Sequence, residues 1–231
     1  DVIYNDRTII SPKELDFYFP ESNVAVEVCG LYWHGEGTSN TSRKYHYDKM
    51  MACFDKGVRL LTVFEDELRN SFDIVMSRIL QAINKTDRVI YARKCKVKNI
   101  STKEANKFFV ENQLQGRSTA EEVWALFYKD EMVSVCSVGK LIRKHTSSAD
   151  VIELKRLCTL SGVHVVGGAS KLFARAKKYS KEEGYTKIKS YCDMRYADIF
   201  NPIYEKLGFT LEGFTKYTPH YFKSGVRYRN Y

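Results

Sequence analysis

The sequence lacks the cysteine spacing of a zinc site. Its six cysteines stand at positions 29, 53, 95, 136, 158 and 192, and no two of them form a CxxC pair. Structural zinc sites are built largely from such closely spaced pairs. The pattern therefore predicts reduced thiols, as in a cytoplasmic protein, and no zinc.

Long apolar runs are also missing. No run approaches the roughly 20 residues that a membrane-spanning helix needs, and the start of the chain lacks the pattern of a secretory signal. We therefore predict no membrane partner. The first residue is Asp instead of Met, from which we expect that part of the first domain precedes it. Internal repeats and low-complexity segments are absent as well.

The size and charge of the chain leave several functions open. It has 231 residues, 44% of them hydrophobic, and a net charge of +9. This length suits one large or two small domains with a packed core. The charge favours a polyanionic partner, because contacts with phosphates release condensed counterions. A soluble basic protein without such a partner would carry the same charge.

Hydrophobic periodicity predicts an α/β (α+β) protein of two domains, 1–86 and 87–231. Strands are predicted over 2–4, 8–10, 15–19, 24–29 and 58–64, with helices over 42–56 and 68–83. The polar stretch 84–88 predicts the domain boundary. Beyond it, strands are predicted over 89–97, 123–127, 132–138, 152–158 and 188–191, with helices over 101–111, from 170 to about 184, and from 202.

Two acidic residues interrupt neighbouring apolar strands of the first domain. Asp16 lies within 15–19 and Glu27 within 24–29, so a hairpin could bring them together. Metal-dependent hydrolysis of a phosphodiester uses carboxylates to hold Mg²⁺ against the phosphate. A pair of acids that face solvent on an open sheet would give the same pattern, and the residues alone leave both interpretations open.

Residues 14–17, 26–34 and 61–68 resemble the core of Vsr-like nucleases, a branch of the PD-(D/E)xK superfamily that includes the EDxHD phage homing endonucleases. The resemblance covers about 2–83. It implies a restriction-endonuclease-like mixed sheet with helices for 1–86, with the family's N-terminal helix missing. It also implies a Mg²⁺-dependent (alternatively Mn²⁺-dependent) endonuclease of double-stranded DNA, in the cytoplasm of a bacterial host if phage-encoded.

The resemblance also implies roles for individual residues. Asp16 and the carbonyl of Val28 match the family's metal ligands, and Glu27 matches the acid of the general motif and would join them. His34 matches the histidine that acts on the scissile phosphate, and Asp48 matches a second acid of the site. The predicted catalytic residues are therefore Asp16, Glu27, His34 and Asp48.

Some positions depart from the family pattern. Cys29 stands where the general motif has lysine. Lys49 is a candidate replacement, but on a helical wheel it points almost opposite the apolar stripe, which predicts a solvated side chain. The loop before this helix ends in Arg43 and Lys44, which we expect to contact the DNA backbone.

A glycine-rich turn marks the second domain. Gly167, Gly168, Ala169 and Ser170 follow a predicted strand and open a predicted helix, which presents backbone N–H groups to an anion. The turn resembles the pyrophosphate loop of Gcn5-related acetyltransferases, and Tyr204 resembles the tyrosine that protonates the coenzyme thiolate in active members. The resemblance covers about 95–215 and implies an acetyltransferase-like mixed sheet with helices. Tight packing alone also explains such a turn.

The segment 90–95 resembles the basic segments of the Mom DNA-modification proteins, so we expect Arg93, Lys94 and Lys96 to contact DNA. The main hypothesis is a DNA endonuclease whose second domain binds the target. The alternative is a transferase, acetyl-coenzyme-A-dependent or Mom-like, with a nuclease-like targeting domain. A non-catalytic DNA-binding protein is a third hypothesis. The sequence leaves the oligomeric state open, a homodimer included.

Overall fold

The fold is that of a computed structural model, which describes residues 1–30, 45–86, 88–141, 150–215, 220–223 and 226–229. Its helices are α1 (Tyr45–Asp55), α2 (Glu65–Asn70), α3 (Phe72–Ala82), α4 (Thr102–Asn112), α5 (Gly168–Glu182) and α6 (Ile203–Lys206). Its strands are β1 (Ile3–Asp6), β2 (Leu15–Phe19), β3 (Val24–Cys29), β4 (Arg59–Phe64), β5 (Arg88–Tyr91), β6 (Lys96–Asn99), β7 (Glu122–Tyr128), β8 (Glu131–Lys140), β9 (Val151–Thr159), β10 (Val163–Val166), β11 (Lys187–Lys189), β12 (His220–Lys223) and β13 (Val226–Arg229).

The chain divides into two compact units. Unit 1 comprises Asp1–Lys85 together with Asp193–Tyr231, and unit 2 comprises Thr86–Cys192. Mixed sheets and helices occur in both, which confirms the predicted α/β class. Among the described helices, none combines the length and apolar character needed to cross a bilayer.

Unit 1 is built on a four-stranded sheet in the order β1-β2-β3-β4. The first three strands pair antiparallel, while β3 and β4 pair parallel and are joined by a crossover that contains α1. Parallel strands are usually covered on both faces, which explains the continuous apolar runs of β3 and β4. Met50 and Cys53 of α1 pack with Leu15, Ala25 and Leu60 in the core on one face of this sheet.

Two predicted elements of unit 1 take a different form. The predicted strand over 8–10 is a turn, because the carboxylate of Asp6 accepts hydrogen bonds from the backbone N–H groups of Thr8 and Ile9 at 3.0 Å. The predicted helix over 68–83 is two helices, α2 and α3, with a break at Ser71, whose φ of −146° is not helical. Local side-chain hydrogen bonding and one backbone conformation, neither visible in the hydrophobic pattern, account for these differences.

Residues from 193 onward belong to unit 1, whereas the second domain predicted from the sequence, 87–231, included them. Glu67, at the start of α2, is buried at 8% exposure. Its carboxylate accepts hydrogen bonds from Arg195 at 2.9 Å, from Arg227 at 2.6 Å and from the Tyr196 hydroxyl at 3.0 Å. The backbone N–H of Phe64 donates to it as well, at 3.1 Å. These bonds tie the end of the chain to the first unit.

Unit 2 contains a five-stranded sheet in the order β11-β9-β8-β7-β6. Neighbouring strands from β6 to β9 are antiparallel, and β11 pairs parallel with β9 after the crossover through α5. Alternate residues of β7 face opposite sides. Val123 and Ala125 pack with Phe109 of α4, whereas the ring of Trp124 contacts Tyr179 of α5 at a centroid distance of 5.7 Å. The two helices therefore cover opposite faces of the sheet.

The contacts of Glu67 with Arg195, Arg227 and Tyr196, which we call the Glu67 cluster, give a first prediction about stability. Glu67→Ala removes the carboxylate that Arg195 and Arg227 share and leaves each arginine with one carboxylate partner, Asp193 and Asp66 respectively. Because several charge-assisted hydrogen bonds are lost, we expect the free energy of unfolding to fall by about 1.5–3 kcal/mol. The matched control is Glu65→Ala, which removes an exposed pair with Arg69 on the same helix and should cost at most about 1 kcal/mol. Urea unfolding of both variants measures the difference, and equal losses would contradict the importance of the cluster.

The same cluster gives a pH dependence. Burial acts to raise the pKa of Glu67, but the charges of Arg195 and Arg227 and the N–H of Phe64 outweigh it, and the pKa lies below its usual value. A carboxylate with a depressed folded-state pKa stabilises the fold above its unfolded pKa of about 4.3, and this stabilisation is lost as the pH falls through the folded-state value. We expect stability to drop below about pH 4.3, with a shallower drop in Glu67→Gln. Urea midpoints between pH 7 and pH 3 test this, and identical slopes would argue against it.

Candidate functional site

The structure brings the two acids of the first unit together. The antiparallel register of β2 and β3 pairs Phe17 with Val26, which places Asp16 opposite Glu27. The Asp16 carboxylate accepts a hydrogen bond from the backbone N–H of Val28 at 2.7 Å. The resemblance had assigned the carbonyl of Val28 to a metal, whereas the contact seen here uses its amide.

Lys49 pairs with Glu27 inside the unit. Its ammonium donates to one carboxylate oxygen of Glu27, and the exposed fractions of the two residues are 2% and 5%. The prediction that Lys49 is solvated is wrong, since a carboxylate buried on β3 requires a counter-charge and the long lysine side chain reaches it from α1. Burial raises the pKa of Glu27, and the hydrogen bond and charge of Lys49 oppose that rise.

The predicted Mg²⁺ or Mn²⁺ site is contradicted. Within the described part of the chain, no three side chains of His, Cys, Asp or Glu are grouped so that they could hold a metal ion. The physical reason is that Glu27 is ion-paired with Lys49 and Asp16 is bound to an amide, while Asp48 is exposed at the first turn of α1. Among the other predicted residues, His34, Arg43 and Lys44 lie outside the described ranges.

A thiol and an imidazole meet next to these acids, which the sequence did not predict. The sulfur of Cys29 lies 3.7 Å from Nδ1 of His46. Burial raises the pKa of Cys29 to about 12, and the nearby charges of Glu27 and Asp16 act in the same direction. The thiol is therefore protonated at neutral pH and is a poor nucleophile. No spacing rule could find this contact, because it arises only when α1 packs beside β3.

The glycine turn of unit 2 joins β10 to α5. Gly167 is the N-cap of the 15-residue helix and has a φ of 75°, in the left-handed region that glycine enters without strain. As a glycine, it has no side chain with which to cap the helix. Packing requires a glycine at position 168, because a Cβ there would approach Cγ1 of Val165 to 2.8 Å. The first N–H groups of α5 thus follow a glycine turn whose N-cap residue offers them no side-chain acceptor.

A basic turn lies against this glycine turn. Residues Ala92–Lys94 form a 3₁₀ turn directly after β5, and β5 pairs parallel with β10 so that Tyr91 lies beside Val166. The ammonium of Lys171, in the first turn of α5, donates to the carbonyls of Ala92 at 2.8 Å and Cys95 at 2.7 Å. These two hydrogen bonds fix the basic turn to the N-terminus of α5.

The two turns enclose an open cavity of about 500 Å³, a volume within the range of small-molecule sites. The lining residues come from both turns: Tyr91, Ala92, Arg93, Val166, Gly167, Ser170 and Lys171. Two of the seven are cationic and none is acidic. The cavity can therefore attract an anion through side-chain charge and through the amide groups of the helix N-terminus.

The parallel strands β9 and β11 separate at their carboxyl ends. Their pairing runs from Val151 with Lys187 to Glu153 with Lys189, and β9 then continues alone on this side to Thr159. Just beyond, the hydroxyl of Ser190 donates to the carbonyl of Leu154 at 3.1 Å. The carboxyl ends of parallel strands are where ligands bind in open α/β sheets, and a crossover helix such as α5 begins at this edge.

Tyr204 remains a prediction as a coenzyme residue. It lies on the short helix α6 of unit 1, where its ring meets that of Phe209 edge-on at a centroid distance of 5.5 Å. The glycine turn with Gly167, Gly168, Ala169 and Ser170 belongs to unit 2. The predicted coenzyme residues are thus divided between the two units.

No family model and no curated protein matches the sequence. Several solved structures resemble about half of the chain. A transcriptional regulator from Bacillus halodurans C-125 shares 17% identity at a TM-score of 0.40, covering 53% of this chain and 99% of that one. An aminoglycoside N-acetyltransferase in complex with CoA shares 12% at 0.41, covering 56% and 95%. A soil-metagenome aminoglycoside acetyltransferase in complex with sisomicin shares 13% at 0.41, covering 57% and 98%.

These comparisons contradict the predicted metal-dependent DNA endonuclease. Two of the three structures are acetyltransferases and none is a DNA hydrolase, which agrees with the acetyltransferase-like resemblance and offers no support for a PD-(D/E)xK domain. The main prediction of function, and Mg²⁺ as its cofactor, are therefore wrong. Because the TM-scores lie below 0.5, the likeness assigns no activity to this chain.

The buried pair in unit 1 gives a prediction of its own. Lys49→Met leaves the charge of Glu27 buried without a partner, so we expect a loss of about 3–5 kcal/mol in the free energy of unfolding. The double variant Lys49→Met/Glu27→Leu removes both charges and should recover most of that loss. Lys178→Met, at an exposed lysine paired with Glu182, is the control and should change stability by less than about 1 kcal/mol. Chemical denaturation of the three variants decides, and a double variant no more stable than the single one would refute the pairing.

Proposed function

We propose that the protein is an acyl-coenzyme-A-dependent transferase, with acetyl-coenzyme A as the coenzyme, and that unit 2 binds the coenzyme pyrophosphate at the Gly167 turn. One observation carries the proposal. The uncapped N-terminus of α5 and the basic turn with Arg93 line one cavity, and the hydrogen bonds of Lys171 hold these two parts together.

The residues of this cavity fit a pyrophosphate. Its negative charge suits the guanidinium of Arg93 and the N–H groups of the first turn of α5, which the helix dipole makes more electropositive. Space supports the fit as well. A Cβ built on Gly167 would meet only the Cβ of Ala92, at 3.8 Å, so the glycine leaves the floor of the cavity open. A diphosphate can therefore approach the backbone closely.

Each residue of the cavity has a separate task in this proposal. The amides from Gly168 to Ser170 bind phosphate oxygens, and Arg93 supplies a positive charge beside them. Lys171 is a positioning residue, because its hydrogen bonds hold the turn that carries Arg93. The coenzyme, when bound, supplies a thioester-linked acyl group. The opening between β9 and β11 gives its extended arm a backbone edge, residues 155–159, beside which to lie.

Calorimetry with acetyl-coenzyme A tests the proposal through a matched pair of variants. Asparagine and aspartate have the same shape and both tolerate positive φ, so Gly167→Asn and Gly167→Asp differ only in charge. We expect the wild type to bind the coenzyme, and the Asp variant to bind at least about tenfold more weakly than the Asn variant, or about 1.4 kcal/mol. The cause is repulsion between the new carboxylate and the pyrophosphate.

Pantetheine, which lacks the pyrophosphate, is the ligand control and should distinguish the two variants by less than about twofold, since an uncharged ligand feels little of the added charge. Equal affinities of the Asn and Asp variants for acetyl-coenzyme A would place the pyrophosphate elsewhere. Absence of binding to the wild type would remove the proposed function.

A further inference from the structure

Two segments of unit 2 contain basic residues and no acids. Between Arg88 and Lys103 there are six basic residues and no Asp or Glu, and from 154 to 181 there are seven and again none. The whole chain carries 28 acidic residues in 231 positions, so acid-free stretches of this length concentrate its positive charge. The resemblance to DNA-modification proteins covered only the start of the first stretch, at 90–95.

The fold joins these two segments. Lys171 of the second segment donates to the carbonyls of Ala92 and Cys95 in the first, and β5 pairs with β10 along four residues. One helical turn beyond Lys171, on the same side of α5, stands Arg175, which is exposed. The contacts of Lys171 place the start of α5 beside the turn that carries Arg93 and Lys94.

We name this turn and the strand β6 that follows it the basic lobe, and define it by Arg93, Lys94, Lys96 and Lys98. All four are exposed. In the described part of the chain, the ion pairs of unit 2 involve other cations, such as Arg88 with Glu131 and Lys155 with Glu153. Cations of the lobe lie against aromatic rings instead: Arg93 lies 5.1 Å from the ring centroid of Tyr91, and Lys98 lies 4.6 Å from that of Phe127. The positive charge of the lobe is therefore not neutralised by carboxylates of the described residues.

We propose that the basic lobe binds double-stranded DNA through its phosphates. The inference goes beyond the proposed coenzyme site and does not rest on it, because Lys94, Lys96 and Lys98 do not line the cavity. Lysine and arginine on a turn and on the edge strand β6 make sequence-independent phosphate contacts, the main source of affinity for duplex DNA.

The chemistry of the lobe favours a duplex over other polyanions. Proteins that bind single strands stack successive bases on several aromatic rings. Each of the two rings beside the lobe is already faced by one of its cations, Tyr91 by Arg93 and Phe127 by Lys98, so the lobe offers no row of open rings. Binding to the surface of an anionic membrane commonly uses a basic amphipathic helix with a broad apolar face, whereas the lobe lies on a turn and a short strand.

A pair of charge-matched variants of the full chain tests the proposal. Lys94→Gln/Lys96→Gln/Lys98→Gln neutralises three residues of the lobe, and Lys177→Gln/Lys178→Gln/Lys181→Gln neutralises three exposed lysines near the other end of α5. Each is titrated against a fluorescent duplex of about 30 base pairs, long enough to cover one domain-sized interface, by anisotropy at several salt concentrations. Thermal unfolding shows whether each variant is folded.

We expect the lobe variant to bind the duplex at least about tenfold more weakly than the wild type. Its slope of log K against log salt should fall by about 0.9 for each phosphate that the protein no longer neutralises, while the other variant keeps nearly the wild-type slope. Equal losses in both variants would reduce the effect to net charge and overturn the lobe as the site. Failure of the wild type to bind the duplex would overturn the proposal, as would tighter binding to single-stranded RNA or anionic vesicles.

The same variants separate this inference from the proposed function. The lobe variant should bind acetyl-coenzyme A with wild-type affinity in calorimetry, because its three changed residues lie outside the cavity. A wild type that binds duplex DNA but no coenzyme would remove the transferase proposal and leave the lobe standing. A wild type that binds coenzyme but no DNA would do the reverse.

Discussion

The buried charge of Glu67 is the constraint on which the arrangement of unit 1 depends. A carboxylate at 8% exposure is stable only when cations and amides surround it. Arg195 and Arg227 provide those cations from the end of the chain, and both guanidinium groups also lie over the ring of Phe64, at 5.1 and 4.1 Å from its centroid. One acid at the start of α2 thereby determines where a segment more than a hundred residues away belongs.

In unit 2 a cation also holds two segments together, but its partners are backbone carbonyls instead of carboxylates. The carbonyls of Ala92 and Cys95 need donors, and Lys171 supplies one cation to both. That pairing stabilises a turn and also places Arg93 beside the helix N-terminus. The cavity at the Gly167 turn and the basic lobe therefore share the turn that carries Arg93. Lys171 makes its hydrogen bonds inside unit 2, and these bonds hold the turn that presents Arg93 at the surface, where the charge of Arg93 is available to a ligand.

Much of the local structure followed from sequence pattern, and the site followed less well. The apolar runs predicted strands over 123–127 and 132–138 and the periodicity predicted a helix over 101–111 from neighbouring residues alone, and the structure has all three as β7, β8 and α4. The hydrophobic stripe of α1 predicted the helix correctly but led to a wrong position for Lys49. A helical wheel assumes one buried face, and it takes no account of a buried acid on the adjacent strand that attracts a lysine from beyond that face.

By itself the sequence determined the α/β class, the basic charge and the glycines that permit the turn before α5, because composition, periodicity and positive φ act over short distances along the chain. Only the tertiary structure decided which charges are neutralised. Glu27 pairs with Lys49 and Glu67 pairs with two arginines, whereas Lys94, Lys96 and Lys98 are exposed and form no ion pair with the described residues. Electrostatic pairing depends on distances in space, and those distances are set by packing between elements that lie far apart in sequence.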